Sequence, residues 1–167
     1  VFTVHGTKKF LDRVPDNPIP ASDLPPATTI LGGRYATVLF WKQHVALFVN
    51  EPTRLPLLVP LAPGRTVTKR LTETASSVFA ALRLPEAFIA SEVSATAHHQ
   101  MTKTANRSVL GTINDSAYLA DAHRTPKQHP DLLDLSLNLA KTPCGPLYGS
   151  HISPDRELIA SVTDHNH

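Results

Sequence analysis

Three short apolar runs follow one another between residues 35 and 61, and they limit what this chain can fold into. Tyr35 to Trp41 and His44 to Asn50 are separated only by Lys42-Gln43, and Leu55 to Leu61 follows after Glu51-Pro52-Thr53-Arg54. Apolar runs of this length with short polar breaks predict three consecutive strands in an antiparallel meander, the first turn being a tight hairpin at Lys42-Gln43. Pro56 and Pro60 lack the N–H that an inner strand must donate, which puts the third run at an edge. Val1 to Val4 alternates like one more short strand. His5-Gly6-Thr7 ends it, and Phe10, Leu11 and Val14 then share a helical face.

From Pro15 to Pro26 five prolines occur in twelve residues, so this stretch is expected as an extended surface loop rather than a helix or a sheet strand. The second half of the chain has helical spacing instead. Val67, Leu71, Val78, Phe79 and Leu82 mark one amphipathic helix that stops at Leu84-Pro85. Pro85 opens a second helix, with Phe88, Ile89, Val93, Ala97 and Met101 as its inner face. A third runs from about Asn106 to Ala122, capped by Asn106 or Ser108 and buried along Val109, Leu110, Ile113, Ala117 and Ala120. Asp131 caps a fourth, carrying Leu132, Leu135 and Leu139, which Pro143 ends. His123 to Pro130 reads as a polar linker, and residues 142–167 as an irregular tail in which Ser153 caps one last short helix at Leu158, Ile159 and Val162.

The expected fold is therefore α+β, in a single domain of 167 residues. A small antiparallel sheet, made of the N-terminal strand and the three-strand meander of residues 1–61, packs against about four helices from 66–141. A chain of this length buries about two thirds of the surface that its unfolded form exposes, so it requires neither disulfide nor metal.

Charge and cysteine content narrow the function. Sixteen Lys and Arg stand against 14 Asp and Glu, a formal charge of +2, and no block of like charge exceeds Lys8-Lys9. Non-specific nucleic-acid binding thus lacks a basic footprint, although the fold could still assemble a local patch. Cys144 is the single cysteine, which excludes an internal disulfide and a multi-thiolate zinc site and fits a reducing cytoplasm. It sits in the turn TPCGPLYG with only His151 near it in sequence, and reads as a small buried residue rather than a nucleophile. No apolar run reaches membrane-spanning length and the amino terminus has no signal-peptide pattern, so a cytoplasmic location is expected. The paired glycines Gly32-Gly33 match neither a dinucleotide fingerprint nor a phosphate loop. His98 and His99 fall about 100° apart near the end of the second predicted helix and cannot share a metal easily, so no metal and no cofactor are expected.

The candidate site lies at the front of the third predicted helix. Lys103, Arg107 and the free first-turn N–H groups near Asn106 and Ser108 suit an anion such as phosphate or carboxylate. Asn114 and Asp115 follow about two turns later, roughly 10 to 12 Å away, so one ligand could not reach every candidate without another element folding over it. The competing role of Asn106, Arg107 and Ser108 is to cap and pair within the fold. With no nucleophile-and-base pair and no paired acids legible, the first functional expectation is a non-catalytic intracellular binding or regulatory module, antitoxin-like in one form, with an unknown protein as partner. The second is an enzyme acting on a phosphate-bearing substrate, with the Asn106 to Ser108 helix start as anion site and Asp115 or a histidine carrying a proton.

At Thr3-Val4-His5-Gly6-Thr7-Lys8-Lys9, Leu31-Gly32 to Tyr35-Ala36, Leu47-Phe48-Val49-Asn50-Glu51, Asn106-Arg107-Ser108-Val109-Leu110-Gly111 and Asn114-Asp115, the chain resembles an uncharacterised bacterial family, the domain-of-unknown-function family numbered 6933. The likeness runs from Val1 to about Leu139, with Arg-Ser-Val-Leu-Gly its most specific part. It implies no activity.

Overall fold

A computed structural model describes residues 2–26, 29–124 and 131–165. Five strands, β1 (Phe2–Gly6), β2 (Arg34–Leu39), β3 (Val45–Asn50), β4 (Pro56–Pro60) and β5 (His99–Lys103), form one sheet in the order β4-β3-β2-β1-β5. The meander is present: β2, β3 and β4 pair antiparallel, with β4 at the edge where its prolines belong. The sheet as a whole is mixed rather than antiparallel, because β1 runs parallel to both β2 and β5. Parallel neighbours need a long return path, and the chain provides two. One is the proline-rich segment with the short helix α1 (Lys8–Leu11), and the other, from the meander back to β5, contains α2 (Val67–Ala81) and α3 (Glu86–Ala95).

β5 corrects the predicted second helix, which ends at Ala95 instead of continuing to Met101. Met101 is buried as a strand residue paired with Val4, and the inner face of α3 is Phe88 and Glu92, while Val93 is 38% exposed. His99 stands in the strand, where its Nε2 lies 2.9 Å from Asp16. The β2–β3 connection is likewise longer than a two-residue turn. It spans residues 40–44, with Trp41 turned into the core and Phe40 left outside beneath the Arg13 guanidinium.

Helices cover both faces. Val4, Ala36, Val38, Ala46, Phe48, Leu57 and Val59 face α1, α2 and α3 through Phe10, Leu71, Val78, Phe79 and Phe88. Tyr35, Leu47, Val49 and Leu58 face α4 (Arg107–His123) and α5 (Leu132–Ala140) through Val109, Ile113, Ala120, Leu135 and Leu139. A strand buried on both sides has no polar side to show, which is why Val45 to Val49 is continuously apolar. The tail is more regular than expected, since α6 (Pro154–His165) adds Leu158 and Val162 to the first core. The four helices expected from 66–141 are α2, α3, α4 and α5, and the single-turn α1 and the tail helix α6 bring the total to six among the described residues. Ser153 precedes α6, but its hydroxyl donates to Asp155 instead of accepting a backbone N–H. Most of the His123 to Pro130 linker lies outside the described residues.

Both sheet edges are closed. On β4 the Leu58 N–H donates to the Ser136 hydroxyl at 2.9 Å, which in turn donates to the Leu132 carbonyl at 2.7 Å. Beside β5 the Ile19 N–H donates to the Met101 carbonyl at 2.8 Å, and the Thr102 hydroxyl donates back to the Ile19 carbonyl at 2.8 Å. Ile19 lies between Pro18 and Pro20, so the proline-rich segment can offer one backbone donor here and cannot add a further strand.

Two charges are buried between β2 and the α2–α3 pair. The Arg34 guanidinium packs 5.4 Å over the Phe2 ring, and Glu92 accepts the Ile30 N–H at 2.8 Å. One guanidinium nitrogen and one carboxylate oxygen have no hydrogen-bond partner among the described residues, and both side chains line a cavity of about 10 Å³. That is about the least space a water molecule needs. Burial pulls the Arg34 pKa down to about 10 against the opposing pull of Glu92, and burial pushes the Glu92 carboxyl up against the Ile30 N–H and Arg34.

Two stability outcomes follow, each read by urea denaturation. Ser136→Ala leaves the Leu58 N–H buried without its acceptor and should cost about 1–3 kcal/mol. Glu92→Leu leaves the Arg34 charge alone in the core and should cost about 3–5 kcal/mol. Unchanged midpoints would mean that the sheet edge and the buried charges rearrange freely.

Candidate functional site

The front of α4 is built from the sheet outward. β5 ends at Lys103, and Asn106 caps the helix with its Oδ1, which accepts the Ser108 N–H at 2.9 Å and the Val109 N–H at 3.2 Å. The Asn106 N–H donates to the Tyr35 hydroxyl at 2.8 Å, tying the helix to β2. Ser108 receives the Arg54 guanidinium on its hydroxyl at 3.1 Å, and Arg54 donates a second bond to the Glu51 carbonyl at 2.6 Å. Arg54 is carried by a turn that buried Asn50 organises, its Oδ1 accepting both the backbone N–H and the hydroxyl of Thr53. The Asn106, Ser108 and Val109 N–H groups and the Ser108 hydroxyl, proposed to meet an anion here, are thus already bonded inside the protein.

Tyr35 also stacks on His5, with ring centroids 4.5 Å apart and planes 20° from parallel. Gly33 lets this ring approach Glu51, since a Cβ on Gly33 would come within 3.1 Å of His5 Nε2 and 3.4 Å of Glu51 Oε2. His5 Nδ1 is buried and has no hydrogen-bond partner among the described residues. Burial holds the His5 pKa below the ordinary histidine value, against the Glu51 charge and the Lys103 backbone, which push it up.

A crevice of about 550 Å³ opens beyond the carboxyl ends of β1 and β5. The chain leaving β1 turns to one face of the sheet, where Phe10 of α1 meets Phe48, while the chain leaving β5 turns to the other, where α4 packs. Two parallel neighbours whose exits diverge leave a gap between them, and open α/β sheets hold ligands at that place. Lys8 and Lys103 line it, with Thr104, Asp12 and the apolar Leu11 and Val14. Asp16 lines it too, with its carboxylate held by His99. Neither lysine ammonium has a hydrogen-bond or ion-pair partner among the described residues.

The six sequence candidates are therefore dispersed. Asn106 and Ser108 stand together at the helix front, Lys103 lines the crevice, and Asp115 lines a separate cleft of about 390 Å³ between α4 and residues 142–154. Arg107 and Asn114 are exposed and line none of the three cavities described. Cys144 lies half-buried in the second cleft, where burial and Asp115 push its thiol pKa up against the Thr112 hydroxyl and Arg54. Lys8, Tyr35, Glu51 and Arg54 were missed. A tyrosine at the start of an apolar strand, with one polar end to satisfy, was the available signal for Tyr35.

The depressed His5 value has a pH consequence. The unfolded chain takes up a proton near pH 6.5 that the folded ring resists, so the stability held above about 6.5 is lost as pH falls through the lower folded value. His5→Phe preserves the stack on Tyr35 and should remove up to about 1.4 kcal/mol per pH unit of that slope. Denaturation at several pH values between 5 and 7.5 reads it, and an identical slope in the variant would clear His5 of the effect.

No curated protein and no solved structure matches this chain. A family model does, over residues 3–157, and it is described as a domain of unknown function, DUF6933. The match spans β1 through the first turn of α6, so it takes in the sheet, the crevice beyond β1 and β5, the cleft beside α4 and the helix front. The chain belongs to that family.

Proposed function

We propose that the protein is a non-catalytic binding module that holds a small anionic ligand, phosphate- or carboxylate-bearing, in the crevice between β1 and β5. The observation that carries this reading is two lysine ammonium groups without partners, on the exits of two diverging parallel strands, in a space of about 550 Å³. That volume lies within the usual range of small-molecule sites. A point charge on a flexible stem suits phosphate and carboxylate alike, and Lys8 and Lys103 reach the crevice from different strand exits, so an anion between them would close the gap. Leu11 and Val14 offer an apolar wall for the rest of the ligand.

The reading favours this crevice over the Asn106 to Ser108 helix start, where the cap, Tyr35 and Arg54 already occupy the polar groups. It also favours binding over turnover, because the crevice's polar lining consists of lysines, a threonine, an amide and carboxylates, and that lining holds no nucleophile-and-base pair.

Differential scanning fluorimetry with inorganic phosphate, ribose 5-phosphate and citrate tests it. At least one probe should raise the Tm by a few degrees, less at high ionic strength, and the Lys8→Ala/Lys103→Ala variant should lose that rise. Both side chains are exposed, so the unliganded variant should melt within about 0.5 kcal/mol of the parent. A panel that moves nothing, or a variant that responds like the parent, would defeat the proposal.

A further inference from the structure

The second cleft carries an inference independent of the crevice. Leu119, Leu139 and Pro143 give it apolar lining, and Arg54 and Asp115 add a cation and an anion. Tyr118 and Tyr148 line it as well, 76% and 65% exposed, which is unusual for side chains with so much apolar surface.

Arg54 is held there at a cost. Its φ of 63° lies in the left-handed region, which strains a residue with a side chain by about 1–3 kcal/mol. Three bonds hold it in place: its N–H to the Asn50 carbonyl at 2.9 Å, and its guanidinium to Glu51 and Ser108. A guanidinium has five donors, so two such bonds leave others for a guest. Asp115 lies one turn beyond Thr112 and one before Leu119, on the same face of α4. The two charges both act on the Cys144 thiol, yet no ion pair joins them among the described residues. A cleft lined by one anchored cation, one anion that forms no ion pair with it among the described residues, and apolar side chains complements a molecule that is itself doubly charged.

We propose that this cleft is a binding site for a zwitterion with an apolar side chain, a free α-amino acid, whose carboxylate meets Arg54, whose ammonium meets Asp115 and whose side chain rests on Leu119 and Leu139 between the two tyrosines. A volume of about 390 Å³ is at the small end of ligand sites, which fits a guest of that size.

Isothermal titration calorimetry on the full chain with L-phenylalanine, its amide and its N-acetyl derivative tests the pairing of charges. L-phenylalanine should bind, and each derivative, having lost one charge, should bind at least about tenfold more weakly, or about 1.4 kcal/mol. Asp115→Asn, an exposed change that should leave the Tm in place, should weaken L-phenylalanine by about tenfold and leave the N-acetyl derivative unaffected. The Lys8→Ala/Lys103→Ala variant should bind L-phenylalanine as the parent does, which separates this site from the crevice. No heat with L-phenylalanine, equal affinity for all three compounds, or parental affinity in Asp115→Asn would overturn the inference, as would loss of binding in the lysine variant.

Discussion

The parallel pairing of β1 with β5 is the constraint on which the rest of this structure depends. Five residues of each strand run side by side, from Phe2 against His99 to Gly6 against Lys103, and β1 pairs parallel with β2 on its other side. A strand with two parallel neighbours cannot be reached by tight turns, so the chain must leave the sheet and return across it twice. Those returns supply α1, α2 and α3 to one face, and α4 and α5, which follow β5, cover the other. Burial on both faces then requires strands without a polar side, and β3 meets that with Ala46, Leu47, Phe48 and Val49 each fully buried. Each large apolar side chain contributes about 1.5–3 kcal/mol of transfer free energy, so the central strands hold a large share of the folding drive.

The same pairing creates the principal crevice. Had β1 and β5 been antiparallel, the exit of one would have stood beside the entry of the other. Because they are parallel, both exits share one end of the sheet, and because α1 and α4 lie on opposite faces, the exits separate there. Lys8 and Lys103 follow those exits, and so a local feature of the backbone path brings together two cations 95 positions apart.

What could be read in the sequence was what local chemistry dictates. The meander was legible from apolar runs and proline placement, and the start of α4 was legible because Asn106 and the stripe at Val109, Ile113 and Ala120 agree. The cap of α5 at Asp131 was legible for the same reason. β5 was not. His99-Gln100-Met101-Thr102-Lys103 has one large apolar residue, and Met101 falls in helical phase with Val93 and Ala97, so the local pattern points the wrong way. Pairing with a strand almost a hundred residues earlier decides its conformation instead. The crevice and the cleft shared that fate, since Lys8 and Lys103 come to line one cavity, and Arg54 and Asp115 another, only through the fold. Of the six candidates, Asn106 and Ser108 were legible as polar groups at a helix start, but not as groups already satisfied by Tyr35 and Arg54.

Arg54 shows why a structural role and a site role need not exclude each other. Its two guanidinium bonds, to Ser108 and Glu51, hold the front of α4 to the end of β3, and its remaining donors lie on the wall of the second cleft. Removing its side chain would weaken the fold and the cleft together, so a loss of binding in such a variant would not separate them. Asp115 is different in kind: it is exposed, on the open face of α4, and its carboxylate holds no described neighbour in place. A charge that supports nothing in the fold and lines the same cleft as a strained, anchored cation is where a role in binding can be read apart from a role in stability.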